Sequence, residues 1–155
     1  MKTINCVPVL LIAGAAVTLS FFTSCTNDGD TTPPVIDLIE PAEGDALKIG
    51  SPVHFEMEVS DNEMLSSYKV EIHSNFDGHE HSRVTRTTAF FFERTWSLSG
   101  LKNTLVHQHD IVIPEDATEG DYHLMVRCTD AAGNEAHLTR NIVLSHDGEE
   151  HGHEE

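Results

Sequence analysis

From Val35 onward the chain alternates apolar and polar residues with a period of two, and short runs of turn-forming residues interrupt the alternation. Residues 35–40 form the first such run, closed by Pro41-Ala42-Glu43-Gly44-Asp45. Across 52–60, Val53, Phe55, Met57 and Val59 point one way, and His54, Glu56 and Glu58 the other. The run 67–74 repeats the pattern with Tyr68, Val70 and Ile72 inward. The aromatic and threonine-rich stretch 84–96 predicts one or two strands, and 104–114, 121–129 and 135–145 predict three more. No segment carries a helical period. About seven short strands separated by turn signals predict an all-β fold, an immunoglobulin-like antiparallel β-sandwich. Tyr122, two residues after Gly120 and just inside the penultimate strand, fits a tyrosine corner.

The segments outside this pattern predict the compartment. After Met1 and Lys2, residues 4–22 are almost wholly apolar or small, and Phe22-Thr23-Ser24-Cys25 follows. That tetrad resembles a lipobox, with phenylalanine where an aliphatic residue is usual. Residues 1–24 are therefore expected to be a lipoprotein signal peptide, with Cys25 as the acylated residue. The acidic run Thr26-Asn27-Asp28-Gly29-Asp30 resembles the export signals of outer-surface lipoproteins. The expected location is the outer membrane, lipid-anchored and exposed at the cell surface. Residues 25–34 then read as a tether stiffened by Pro33-Pro34, 35–145 as the sandwich, and 146–155 as a polar tail without an apolar face.

Composition narrows the ligand class. Acidic residues outnumber basic ones 26 to 9, a formal charge of −17. A field of that sign repels phosphate backbones, so nucleic acid is excluded as a partner. It attracts cations, and the chain carries 11 histidines. Of the three cysteines, Cys6 leaves with the leader and Cys25 is the lipid site, so no internal disulfide is expected. Cys128, in the alternation Tyr122, Leu124, Val126, Cys128, reads as a small buried apolar residue.

The residues Pro33-Pro34, Asp61-Asn62-Glu63, Ile72-His73, Asn75 through His81, Ile113-Pro114, Gly120 through His123 and Asp130-Ala131-Ala132-Gly133-Asn134 together resemble a Bacteroidetes family. Its members are surface lipoproteins with an Ig-like domain of unknown function and a His-rich loop. The resemblance spans most of 31–145 and implies fold and location, with no activity.

Alternation also places the histidines. Outward positions include His73 with Lys69 and Glu71 on one strand, and His123 with Asp121 on another. In an Ig-like topology these strands are antiparallel neighbours, which sets His73 near His123, with the His79/His81 loop leaving the same edge. His79-x-His81 and His107-x-His109 are two-residue pairs whose rings share one strand face and can meet on one ion. His107 and His109 are expected to approach the edge where His123 begins. His54 reads as solvated beside Glu56 and Glu58, and His137 as remote. Neutral imidazole suits zinc, and also copper or nickel. The tail histidines His146, His151 and His153 alternate with glutamates and would only raise the local metal concentration.

A calcium reading, resting on Asp61, Asp130 and Glu115-Asp116, lacks a compact loop; Asp28, Asp30 and Asp61 are scattered, and turn chemistry accounts for Asp61-Asn62 and Asp130. Enzyme motifs fail: Arg83 stands where a zinc-protease helix needs histidine, and there is no Gly-x-Ser-x-Gly elbow. The expected function is non-enzymatic: a surface lipoprotein that captures or buffers zinc through His73, His79, His81 and His123, with His107 and His109, and passes it to an outer-membrane transporter. The competing reading is an adhesive Ig-like module for a glycan or surface protein. Such a module should expose aromatics, whereas Trp96 sits in a core-like alternation.

Overall fold

The computed structural model describes residues 29–75 and 89–148, which places Cys25, His79, His81, His151 and His153 outside the described residues. Eight strands form two facing sheets, and the described residues contain no helix. The smaller sheet runs in the order β1 (Val35–Glu40), β3 (Phe55–Ser60), β6 (Asn103–Gln108). The larger runs β2 (Ala46–Lys48), β8 (Glu135–Ser145), β7 (Gly120–Asp130), β4 (Leu65–Ser74), β5 (Phe92–Ser97). All pairings are antiparallel except β2 with β8. This is the expected all-β, immunoglobulin-like sandwich.

The strands form where alternation supplies one apolar face to bury. Phe55, Met57 and Val59 from the small sheet meet Tyr68, Val70, Ile72, Tyr122, Leu124 and Val126 from the large one, and all are nearly inaccessible. Tyr122 closes one end: its hydroxyl donates to the Thr118 carbonyl at 2.9 Å and accepts from the Phe90 amide at 3.1 Å. That is the expected tyrosine corner. Trp96 packs against the core, stacked on Tyr68 with ring centroids 4.9 Å apart.

Two departures from the alternation have local causes. β2 has only three residues and pairs in parallel at a sheet edge, too short to show a period. The run 84–96 ends in β5, whose first residue is Phe92; its earlier part, 84–88, lies outside the described residues. The run 104–114 is interrupted after Gln108. Pairing passes from Phe55↔Gln108 to an isolated bridge Pro52↔Val112. Two residues lie between these pairs on one side and three on the other, so the chain carries a bulge near His109 and Asp110.

Cys128 is fully buried, and burial pushes its thiol up to about 11, the charges of Asp61 and Asp130 adding to the effect. In protein carrying Cys6→Ser and Cys25→Ser, the native state near neutral pH should give almost no reaction with a thiol reagent. One equivalent should appear on unfolding in denaturant. Rapid native-state labelling would contradict this burial.

Candidate metal centre

Three imidazoles converge on the outer surface of the small sheet. His54 immediately precedes β3, His107 lies in β6 directly across from Glu56, and His109 follows β6 at the bulge. Continuing the register by one step beyond Phe55↔Gln108 sets His54 opposite His109. The bulge turns the chain there, keeping His109 outward while Ile111 returns to the core.

Ring centroids stand 4.9 Å apart for His54 and His107, 5.0 Å for His54 and His109, and 5.3 Å for His107 and His109. His54 Nδ1 and His109 Nε2 are 3.2 Å apart. Each ring offers one nitrogen, and these nitrogens all lie within 4.8 Å of one another. Tetrahedral zinc with bonds of about 2.0–2.1 Å separates its ligand atoms by roughly 3.3–3.4 Å. The His54–His109 spacing is close to that, and modest side-chain rotation brings in the third ring.

The other nitrogen of His54, Nε2, lies 3.5 Å from Glu56 Oε2. A carboxylate behind a ligating imidazole holds its tautomer and raises its basicity, leaving Nδ1 to face the shared centre. Glu56, two residues from His54 and directly across from His107, is placed for that role. Three imidazoles leave a fourth coordination position for water or an incoming ligand.

The expected grouping of histidines is thereby rearranged. His73 and His123 do meet: they are direct partners between β4 and β7, with rings edge to face at 5.4 Å. His73 Nδ1 also lies 3.1 Å from Glu71 Oε1. His107 and His109 do not join them. Their strand belongs to the other sheet, because β6 pairs with β3 rather than with β7. His54, read from the sequence as merely solvated, completes their cluster. The available signal was topological: pairing of the second and fifth long strands of an Ig-like sandwich brings 54 and 107–109 together. His137 lies opposite Arg127 between β7 and β8, away from both groups, and His146 is exposed beyond β8.

A second group is acidic. Asp30, Asp61 and Asp130 each offer one carboxylate oxygen within 4.8 Å of the others. Hydrogen bonds from the Asn62 side chain and the Thr32 amide hold Asp30 below the usual carboxylate range. Burial acts to push Asp130 up, but hydrogen bonds from the Asn134 side chain and from the amides of Asn134, Gly133 and Ala132 outweigh it, and the net shift is downward. Both therefore stay ionised near neutral pH.

The family model that matches this sequence, over residues 23–145, is described as a domain of unknown function, DUF4625. No curated protein matches it.

Proposed function

This chain belongs to the DUF4625 family, and we propose that it binds a divalent transition metal, zinc above all, as a lipid-anchored protein of the cell surface. The observation that carries the reading is the His54, His107, His109 cluster, in which two imidazole nitrogens already stand 3.2 Å apart. Support for the anchor is the tetrad ending in Cys25 after an apolar leader. A three-histidine cluster open to solvent at His107, with one coordination position left over, suits capture and hand-over better than permanent retention. A transporter ligand or a tail histidine can enter that fourth position before the protein's own ligands leave. The overall charge of −17 favours the approach of cations.

Elemental analysis after equilibration with zinc, copper or nickel and exhaustive dialysis tests this. The protein should retain about one ion per chain, and His107→Ala or the His54→Ala, His109→Ala pair should lose it; His107 is exposed, while His54 is half-buried beside Glu56. His73→Ala should retain it, because among the described residues His73 is joined only by His123, two imidazoles in place of three. Imidazole ligands must be deprotonated, so bound zinc should be released as pH falls from about 6 to about 5. Retention unchanged in His107→Ala would remove this site from the proposal. Retention lost only when residues 146–155 are deleted would confine binding to the tail and favour the adhesive reading. One feature suits that second reading: Val35 and Leu105 are exposed along a shallow groove on the outer face of the small sheet, lined also by Asp37, Glu58 and Asn103.

A further inference from the structure

The sequence scatters Asp30, Asp61 and Asp130 over a hundred positions, and the fold gathers them at one pole. Asp30 lies on the segment leading into β1, Asp61 in the connection between β3 and β4, and Asp130 at the end of β7 before the turn into β8. Their first oxygens are engaged in local structure. Asp30 Oδ1 accepts from the Thr32 amide at 2.9 Å and from Asn62 Nδ2 at 3.0 Å. Asp61 Oδ1 accepts from the amides of Glu63 and Met64 at 2.9 and 2.7 Å. Asp130 accepts from the Asn134 amide at 2.7 Å and from its side chain at 2.6 Å.

Turn chemistry accounts for those bonds and leaves two atoms over. Asp30 Oδ2 and Asp61 Oδ2 are shut off from solvent and have no hydrogen-bond partner. Asp130 itself is 2 % exposed. Among the described residues no lysine or arginine forms an ion pair with any of the three, and the neighbouring Lys102 ammonium donates instead to the Asn62 carbonyl at 2.9 Å. Three carboxylates, each with one oxygen within 4.8 Å of the others and two with a buried bare oxygen, lack the positive charge that such a group needs.

We propose that Asp30, Asp61 and Asp130 bind a hard divalent cation, calcium, in a site separate from the histidine cluster. Calcium–oxygen bonds of about 2.3–2.6 Å let two ligand oxygens lie up to roughly 4.6–5.2 Å apart across the ion, which spans the observed spread. The orphan oxygens become ligands, and water completes a shell of about six to eight. Asn62 and Asn134 hold the carboxylates from behind, and Asn134 Nδ2 also donates to the Asp30 carbonyl at 3.0 Å. The ion ties the entry of the chain to two loops that are otherwise far apart in sequence. Its role is structural: it fastens the segment that leads into β1 to the β3–β4 connection and to the end of β7.

The test is thermal unfolding of the full chain, stripped with a chelator, then measured in calcium chloride, magnesium chloride, or sodium chloride of matched ionic strength. Affinity in the range typical of extracellular modules, about 10⁻⁴–10⁻³ M, makes about 10 mM calcium near-saturating. The midpoint should then rise by roughly 5–15 °C. Magnesium should act more weakly and sodium hardly at all. Asp30→Asn and Asp61→Asn keep the oxygen that accepts the turn hydrogen bonds and put an amide nitrogen in place of the orphan oxygen. Both should fold, lose the calcium response, and melt in chelator at or above the parent's temperature because one repelling charge is gone. The calcium response should survive in His107→Ala, which separates the two sites. A parent without a calcium-specific shift, or an undiminished shift in both aspartate variants, would overturn the proposal.

Discussion

Phe55→Ala should destabilise the domain by about 3–5 kcal/mol, the usual cost of deleting a buried aromatic ring. Phe55 is fully buried and starts β3, between His54 and Glu56 of the metal cluster. Its ring lies parallel to Tyr68, at 9° with centroids 6.2 Å apart, and Tyr68 in turn stacks on Trp96. Gln108, paired with Phe55 across the small sheet, donates to the Tyr68 hydroxyl at 3.1 Å. One truncation therefore removes the inner anchor of β3, leaves a cavity between the sheets and loosens the register that sets His54 against His109. Domains of this size hold about 5–15 kcal/mol in all, so the variant should sit near the edge of folding. Urea midpoints report the loss. Phe55→Leu, which refills most of the volume, should cost less than half as much. A cost under about 1 kcal/mol for the alanine variant would mean that this stack does not hold the sheets together.

Raising the pH from about 8 to about 12 should unfold the domain progressively, through groups that are buried in their protonated forms. Burial pushes the Cys128 thiol from 9.0 up to about 11. Burial, helped by the Asp110 charge, pushes the Tyr68 hydroxyl from 10.0 up to about 12, and burial raises Tyr122 as well. In each case the folded state holds the proton more tightly than the unfolded chain. Their contributions are fully present below the unfolded values and are lost as pH rises through the folded ones. The decline should begin near pH 9 with Cys128 and steepen above 10 with the tyrosines, costing roughly 2 kcal/mol for each of Cys128 and Tyr68. Urea midpoints measured across this range test it, with Cys128→Ala delaying the onset by about one pH unit. A flat profile to pH 11 would show that these groups titrate alike in both states.

Several features of the fold are legible in the sequence itself. The inward sets Val53–Phe55–Met57–Val59 and Tyr68–Val70–Ile72 are buried as their alternation requires. His73 faces His123, because antiparallel pairing of two strands with known inward faces leaves little freedom in what lies opposite what. Tyr122 makes its corner. β2 is not legible, since three residues carry no period. The placement of His107 and His109 is not legible there for a different reason. Parity says that a side chain points outward, yet it does not say from which sheet, and β6 belongs with β3.

Local pattern by itself determined the all-β class, the inward and outward faces and the abundance of metal-binding side chains. These follow from the period of the strand and from composition, which are properties of neighbours along the chain. Tertiary structure alone decided which of those side chains form sites. His54 joins His107 and His109 through strand pairing and a one-residue bulge. Asp30, Asp61 and Asp130 meet only because the segment before β1, the β3–β4 connection and the end of β7 come together at one end of the sandwich. A coordination sphere is a few ångströms across, and residues tens of positions apart enter it only once the packing of two sheets has set the path of the chain between them.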